Sequence, residues 1–204
     1  CLNNFYFRIL SNFLGSLHKR MPGLCLYFAP LCVILNKSYI FVQRGDSAMK
    51  KHAKYLILAV TLGIMALIFF FSSQPGEASY QLSGVVADTV QHSKVSTITP
   101  SWFSTQNFNA NIRKWAHVYI YCALGVSMAV TVHLWTRRIA LWQQGLLAAA
   151  LCTLYAMSDE IHQYFVPARA MLLTDVGIDA FGFLPCIAVT CIIIWLLQRR
   201  KAKQ

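Results

Sequence analysis

The sequence predicts an all-α fold: a polytopic membrane protein built as a four-transmembrane-helix bundle. Three observations support this. The chain is 57% hydrophobic and only 12% charged, too apolar for an ordinary soluble domain. Its apolar residues come in four blocks, Tyr55–Phe71, Trp115–Trp135, Ile139–Tyr155 and Val176–Leu197. These approach or exceed the ~17–25 residues that cross a bilayer as a helix. The basic residues gather at the ends of the blocks.

That charge pattern bears on partners and orientation. The formal charge of +11 does not point to nucleic acid, because no single basic face collects it. Lys50, Lys51 and Lys54 precede the first block, Arg137 and Arg138 join the second to the third, and Arg199, Arg200, Lys201 and Lys203 follow the fourth. With four spans all three clusters share one side, so the positive-inside rule puts both termini in the cytoplasm. The segments 72–111 and 158–174 then face outward. Arg113 and Lys114, basic residues at an outer helix end, run against the rule, which suggests a local task.

Residues 1–48 have mixed composition, and their longest apolar run, Leu24–Leu35, is broken by Pro30 and too short to span. Met49 opens a basic segment directly before the first long apolar run. The codons of Arg44-Gly45-Asp46 can read as a purine-rich ribosome-binding sequence at a suitable distance from Met49. Residues 1–48 are therefore expected to be translated leader sequence, poorly structured, with residues 49–204 forming the membrane domain. That domain alone carries 13 lysines and arginines against 6 acids.

The first span is expected over about 55–72. A cleaved signal peptide is the competing reading of Met49–Phe71, but the apolar run is long for one and no good Ala-x-Ala site follows. The polar loop after it holds Pro75, Gly76, Gly84 and Pro100, with one short helix expected over 77–90 and interfacial aromatics at Trp102 and Phe103. The second span, about 114–135, carries Arg113, His117 and Tyr121 at intervals of four, a stripe on its outer half. Gly125 and Ser127 allow close helix contact further in. Trp135 and Trp142 flank the Arg137-Arg138 turn, making spans two and three an antiparallel hairpin. The third span, about 139–160, ends in a polar stripe. Tyr155, Asp159, His162 and Gln163 share an arc of roughly 100°, with Glu160 just off it. The fourth span, about 175–197, starts with Thr174-Asp175 as a helix cap, places Asp175, Asp179 and Gly182 on one stripe, and is expected to kink at Pro185. The seven cysteines show no metal or redox spacing, and Cys122, Cys152, Cys186 and Cys191 read as reduced packing residues.

Direction brings these stripes together. The second span begins with Arg113, Lys114 and His117; the third ends with Asp159, Glu160, His162 and Gln163; the fourth begins with Asp175 and Asp179; Arg169 lies between the last two. All belong to one end of the bundle. Ionisable groups in a membrane segment are costly and usually mark function.

The order R-K-x-x-H-x-x-x-Y-x-x-L-G (Arg113 to Gly125), Y-A-x-x-D-E-x-H-Q-x-F-V-P-x-R (Tyr155 to Arg169) and D-x-x-x-D-x-x-G (Asp175 to Gly182) resembles the VanZ-like family. The Ser72-Ser73-Gln74 end of the first span also fits. The resemblance covers about residues 55–197. Ala168 stands where the family usually has Gly before the Arg, and Pro185 near a position often held by Gly. The resemblance implies a multi-pass protein of the bacterial cytoplasmic membrane, in a family whose founding member is associated with teicoplanin resistance.

Several chemistries are open to the cluster. As a binding site, Arg113, Lys114, His117 and Arg169 would grip a phosphate or pyrophosphate. Asp159 and Glu160 would orient those groups or meet amines and hydroxyls, and Tyr121, Tyr155, His162, Gln163, Asp175 and Asp179 complete the ligand-binding candidates. The partner would be a lipid-linked cell-wall precursor or a lipoglycopeptide in the lipid bilayer. As an enzyme, a hydrolase or transferase would use His117 or His162 as general base, oriented by Asp159. A metal site would draw on Asp159, His162, Asp175 and Asp179, but the H-E-x-x-H spacing is lacking and no cofactor is expected. A structural bundle without a ligand is the remaining alternative.

Overall fold

The computed structural model describes residues 47–76, 108–169 and 171–201, with residues 81 and 84 between the first two segments. Residues 1–46 of the leader expected before Met49, most of the loop helix expected over 77–90 and the aromatics at 102 and 103 lie outside these residues. The described residues form four long helices: α1 (Ser47–Ser72), α2 (Phe108–Trp135), α3 (Leu141–Tyr164) and α4 (Leu173–Lys201).

Three of them are long and apolar enough to cross a membrane: α1, α2 and α4, with mean hydropathies of 2.4, 1.6 and 2.5 over their spans. The third helix has the length but not the composition, so length and hydropathy alone support three of the four expected spans. Gln143 and Gln144 near its start, and Asp159, Glu160 and Gln163 near its end, dilute its apolar middle. Each helix also runs beyond its apolar block, because residues such as Arg113, Lys114 and His162 continue the backbone hydrogen bonding. The fourth continues unbroken through Pro185.

The second helix is the central one: 78% of its span is buried in the bundle, against 17% for α1 and 33% for α4. It packs most extensively on α4. Two glycines permit that closeness. A Cβ on Gly125 would lie 2.7 Å from the Phe183 carbonyl oxygen, and one on Gly182 would lie 2.5 Å from the Val118 carbonyl oxygen. Small residues on α3, Ala148, Cys152 and Ala156, are completely buried at intervals of four and join Tyr121, Leu124, Phe183 and Ile187 in the main core. Leu146, Leu151, Leu154, Met157 and Ile161 occupy the opposite, exposed face of that helix. An apolar outer face of this kind suits a lipid surrounding.

One end of the bundle is closed by the turn between α2 and α3. There Gln144 is buried and fully engaged. Its Nε2 donates to the carbonyls of Thr136 and Ile139, at 3.0 and 2.9 Å, and its Oε1 lies 2.8 Å from His133 Nδ1. Tyr55 meets Trp135 edge-on at 5.7 Å, and the Lys54 ammonium lies 5.5 Å from the centroid of the same indole. At the other end α1 and α3 finish and α2 and α4 begin. The charged side chains of the core are found there.

Candidate functional site

At that second end two arrangements meet. The first is a hydrogen-bonded group at the end of α3. Asp159 Oδ2 accepts from Ser72 Oγ at 2.8 Å and from Gln163 Nε2 at 3.0 Å. The same Gln163 amide donates to Glu160 Oε1 at 3.2 Å, so one side chain bridges both carboxylates. Glu160 Oε2 accepts from the Leu172 backbone N–H at 3.1 Å, immediately before α4. This carboxylate, not a Thr174-Asp175 cap, therefore holds the entry to the helix. Glu160 is only 1% exposed, although its helical angle placed it just off the polar arc. The buried face of α3 is wide enough for adjacent residues 159 and 160 because it is covered from both α1 and the loop before α4.

Arg169 fastens this group to α1. Its Nη1 donates to Gln163 Oε1 at 3.1 Å and its Nη2 to the Phe71 carbonyl at 3.2 Å. Burial, then the nearby Arg113, draws its pKa down from the ordinary value, while Asp159 and Glu160 oppose the shift; an arginine remains charged under such influences. The preceding residue, Ala168, sits at φ 58°, a left-handed conformation that normally favours glycine. The turn is thus kept, with alanine in a position that disfavours a side chain. Against it lies Gly76, whose N–H donates to the Pro167 carbonyl at 3.2 Å, and a Cβ on Gly76 would collide with the Ala168 carbonyl.

The second arrangement is a cavity of about 250 Å³. Arg113, Lys114 and His117 enter it from α2, Gln163 and Arg169 from the α3 end and its loop, and Asp175 and Asp179 from α4. His117 Nδ1 lies 3.3 Å from Asp179 Oδ1, within ion-pair distance but not aligned as a hydrogen bond. Asp179 is 1% exposed, and neither of its oxygens has a hydrogen-bond partner. The other buried side-chain atoms left without partners among the described residues are Tyr121 OH, Asp159 Oδ1 and Arg169 Nε. All therefore come from the same polar end. Buried polar atoms are normally satisfied, so such a concentration marks a place where other hydrogen-bonding groups belong.

Several expected neighbours are separated. The carboxylate beside His117 is Asp179, not Asp159, which is taken up by Ser72 and Gln163. His162 turns towards α1: it stacks on Phe69 with centroids 4.2 Å apart, and its Nε2 lies 3.2 Å from Ser73 Oγ. Tyr155 also reaches α1, donating to the Met65 carbonyl at 2.5 Å. Neither Arg113 nor Lys114 forms an ion pair with Asp159 or Glu160 among the described residues. No group of three or more His, Cys, Asp or Glu residues able to hold a metal is found among them either. Two contributors were not among the expected site residues, the Leu172 N–H and Ser72, which entered the sequence reading only through the family resemblance. The serine pair closing the first apolar block was the available signal for Ser72; a backbone donor leaves none.

No curated protein and no solved structure is matched by the chain. The family model for VanZ/LLP1 matches residues 57–196, from the first helix into the last turns of the fourth. That match takes in α2, α3, the Ala168 turn and the start of α4, the segments that build both the hydrogen-bonded group and the cavity, and with its apolar helices it makes this chain a multi-pass membrane protein of the VanZ/LLP1 family.

Proposed function

We propose that the chain crosses the bacterial cytoplasmic membrane four times, with both termini inside and the cavity facing outward. There it binds the anionic part of a lipid-linked envelope molecule and so alters sensitivity to teicoplanin-type lipoglycopeptides. The observation that carries this reading is the convergence of Arg113, Lys114 and Arg169 on one cavity. Two come from a helix start and one from a loop more than forty residues away. Arginine offers a planar pair of donors suited to phosphate, and lysine adds a point charge. A cavity of about 250 Å³, below the range for a drug-sized ligand, suits the headgroup of a lipid or the anionic part of a larger molecule. The exposed apolar side of α3, from Leu146 to Ile161, supports counting that helix as the fourth span despite its polar ends.

The test is teicoplanin susceptibility of a Gram-positive host expressing the full chain, beside Arg113→Ala and Arg169→Ala at matched membrane levels. Raised tolerance in the wild type, lost in both variants, is the expected result. Equal protection by the variants overturns the binding role; no effect of the wild type overturns the antibiotic link.

A second reading, a membrane-embedded hydrolase or transferase, is favoured by the contact of His117 with the buried Asp179. A carboxylate on one ring nitrogen orients an imidazole so that the other can take a proton. Complete loss of function in His117→Gln, with Arg113→Ala only partly impaired, would favour catalysis over binding.

A further inference from the structure

The cavity is not uniformly basic. Its cations are grouped where α2 begins and where the loop after α3 returns. One helical turn further in, at the level of His117, lies Asp179; another turn along α2 lies Tyr121, which is completely buried. Arg113, Lys114 and Arg169 are all partly exposed, whereas Asp179 is 1% exposed, with Oδ1 facing His117 at 3.3 Å and Oδ2 without a partner. A simple anion would satisfy the entrance and leave Oδ2 of this carboxylate without a donor. Burying a carboxylate with fewer hydrogen bonds than its oxygens can accept is expensive.

We propose that the site takes an amine-bearing phosphate of the phosphoethanolamine type, its phosphate on Arg113, Lys114 and Arg169 and its ammonium on Asp179. The proposal rests on the anion-binding reading above and adds the second half of the ligand. An ammonium group carries a full charge and three donors, whereas a hydroxyl carries one donor and no charge. A trimethylated ammonium has no N–H to give, so phosphocholine is disfavoured by its chemistry. The ligand is zwitterionic, matching a lining that places cations and carboxylates in one small space.

The full chain, reconstituted in nanodiscs of equimolar phosphatidylethanolamine, phosphatidylglycerol and phosphatidylcholine, is released into native mass spectrometry and the retained lipids are counted. Retention of phosphatidylethanolamine roughly tenfold over the other two is expected, the scale of one charge-assisted contact. N-methylated phosphatidylethanolamines should fall off stepwise on the unmodified protein, so the test does not depend on any variant folding. In Asp179→Asn the preference should vanish. Free phosphoethanolamine that displaces the lipid as well as a short-chain phosphatidylethanolamine does identifies a soluble source; displacement by the lipid alone identifies a headgroup. Equal retention of all three lipids, lost in Arg113→Ala and Arg169→Ala, overturns the amine preference and leaves anion binding standing. Retention indifferent to both arginines overturns the two together.

Discussion

The two ends of the bundle bury polar groups in opposite ways. At the turn between α2 and α3, Gln144 uses both ends of its amide, on His133, Thr136 and Ile139, and no buried side-chain atom there lacks a partner among the described residues. At the opposite end all five partnerless atoms collect, on Tyr121, Asp159, Arg169 and Asp179. A polar group kept for folding is satisfied by the fold itself. One kept for recognition is left with capacity that the fold does not use, at a cost in stability. Burial alone does not separate the two cases, since Gln144 and Asp179 are both deeply buried.

Four substitutions test that contrast. The largest loss is expected for Gln144→Ala, which removes the amide's contacts with His133 Nδ1 and with the Thr136 and Ile139 carbonyls. Stability should fall by about 3 kcal/mol, read as thermal unfolding in detergent, with lipid retention at the far end intact. Gly182→Ala drives a Cβ against the Val118 carbonyl and separates α2 from α4. It should cost about 2 kcal/mol and, unlike the first change, also abolish binding, because it moves His117 away from Asp179. Asp179→Asn should change stability by less than about 1 kcal/mol while eliminating amine selectivity, because the native carboxylate is already short of partners. If it destabilises as much as Gln144→Ala, the contrast between the ends collapses. The smallest change is expected for Ala168→Gly, a gain of about 0.5–1 kcal/mol from relief of the left-handed backbone, with selectivity unchanged.

Much of this was legible in the residues. The apolar blocks located the four long helices among the described residues, and the direction of the spans put Arg113, His117, Gln163, Arg169, Asp175 and Asp179 at one end, where they line one cavity. Periodicity identifies which residues share a helix face but not which neighbour that face meets. Hence His162, on the same arc as Asp159, turned out to stack on Phe69 of α1, and the partner of His117 proved to be Asp179. Glu160 escaped the arc because its burial depends on a backbone donor brought by the loop, and hydropathy does not record such a donor. The satisfied pair of His133 and Gln144 went unnoticed for a related reason. Eleven residues apart on two helices, they meet only once the intervening turn has closed.

The pairing of α2 with α4 has a consequence for assembly. The most enclosed helix of the bundle finds its principal partner only after all of α3 and the Ala168 turn have been synthesised. Until then, the groove at Gly125, shaped to receive the Phe183 backbone, faces lipid or a temporary neighbour. Inserted helices that await a later partner are open to capture by the wrong one. The α2–α3 hairpin is therefore the stage at which this protein would most need a membrane chaperone, and ribosome-stalled chains ending before Leu173 are where such an escort should be sought.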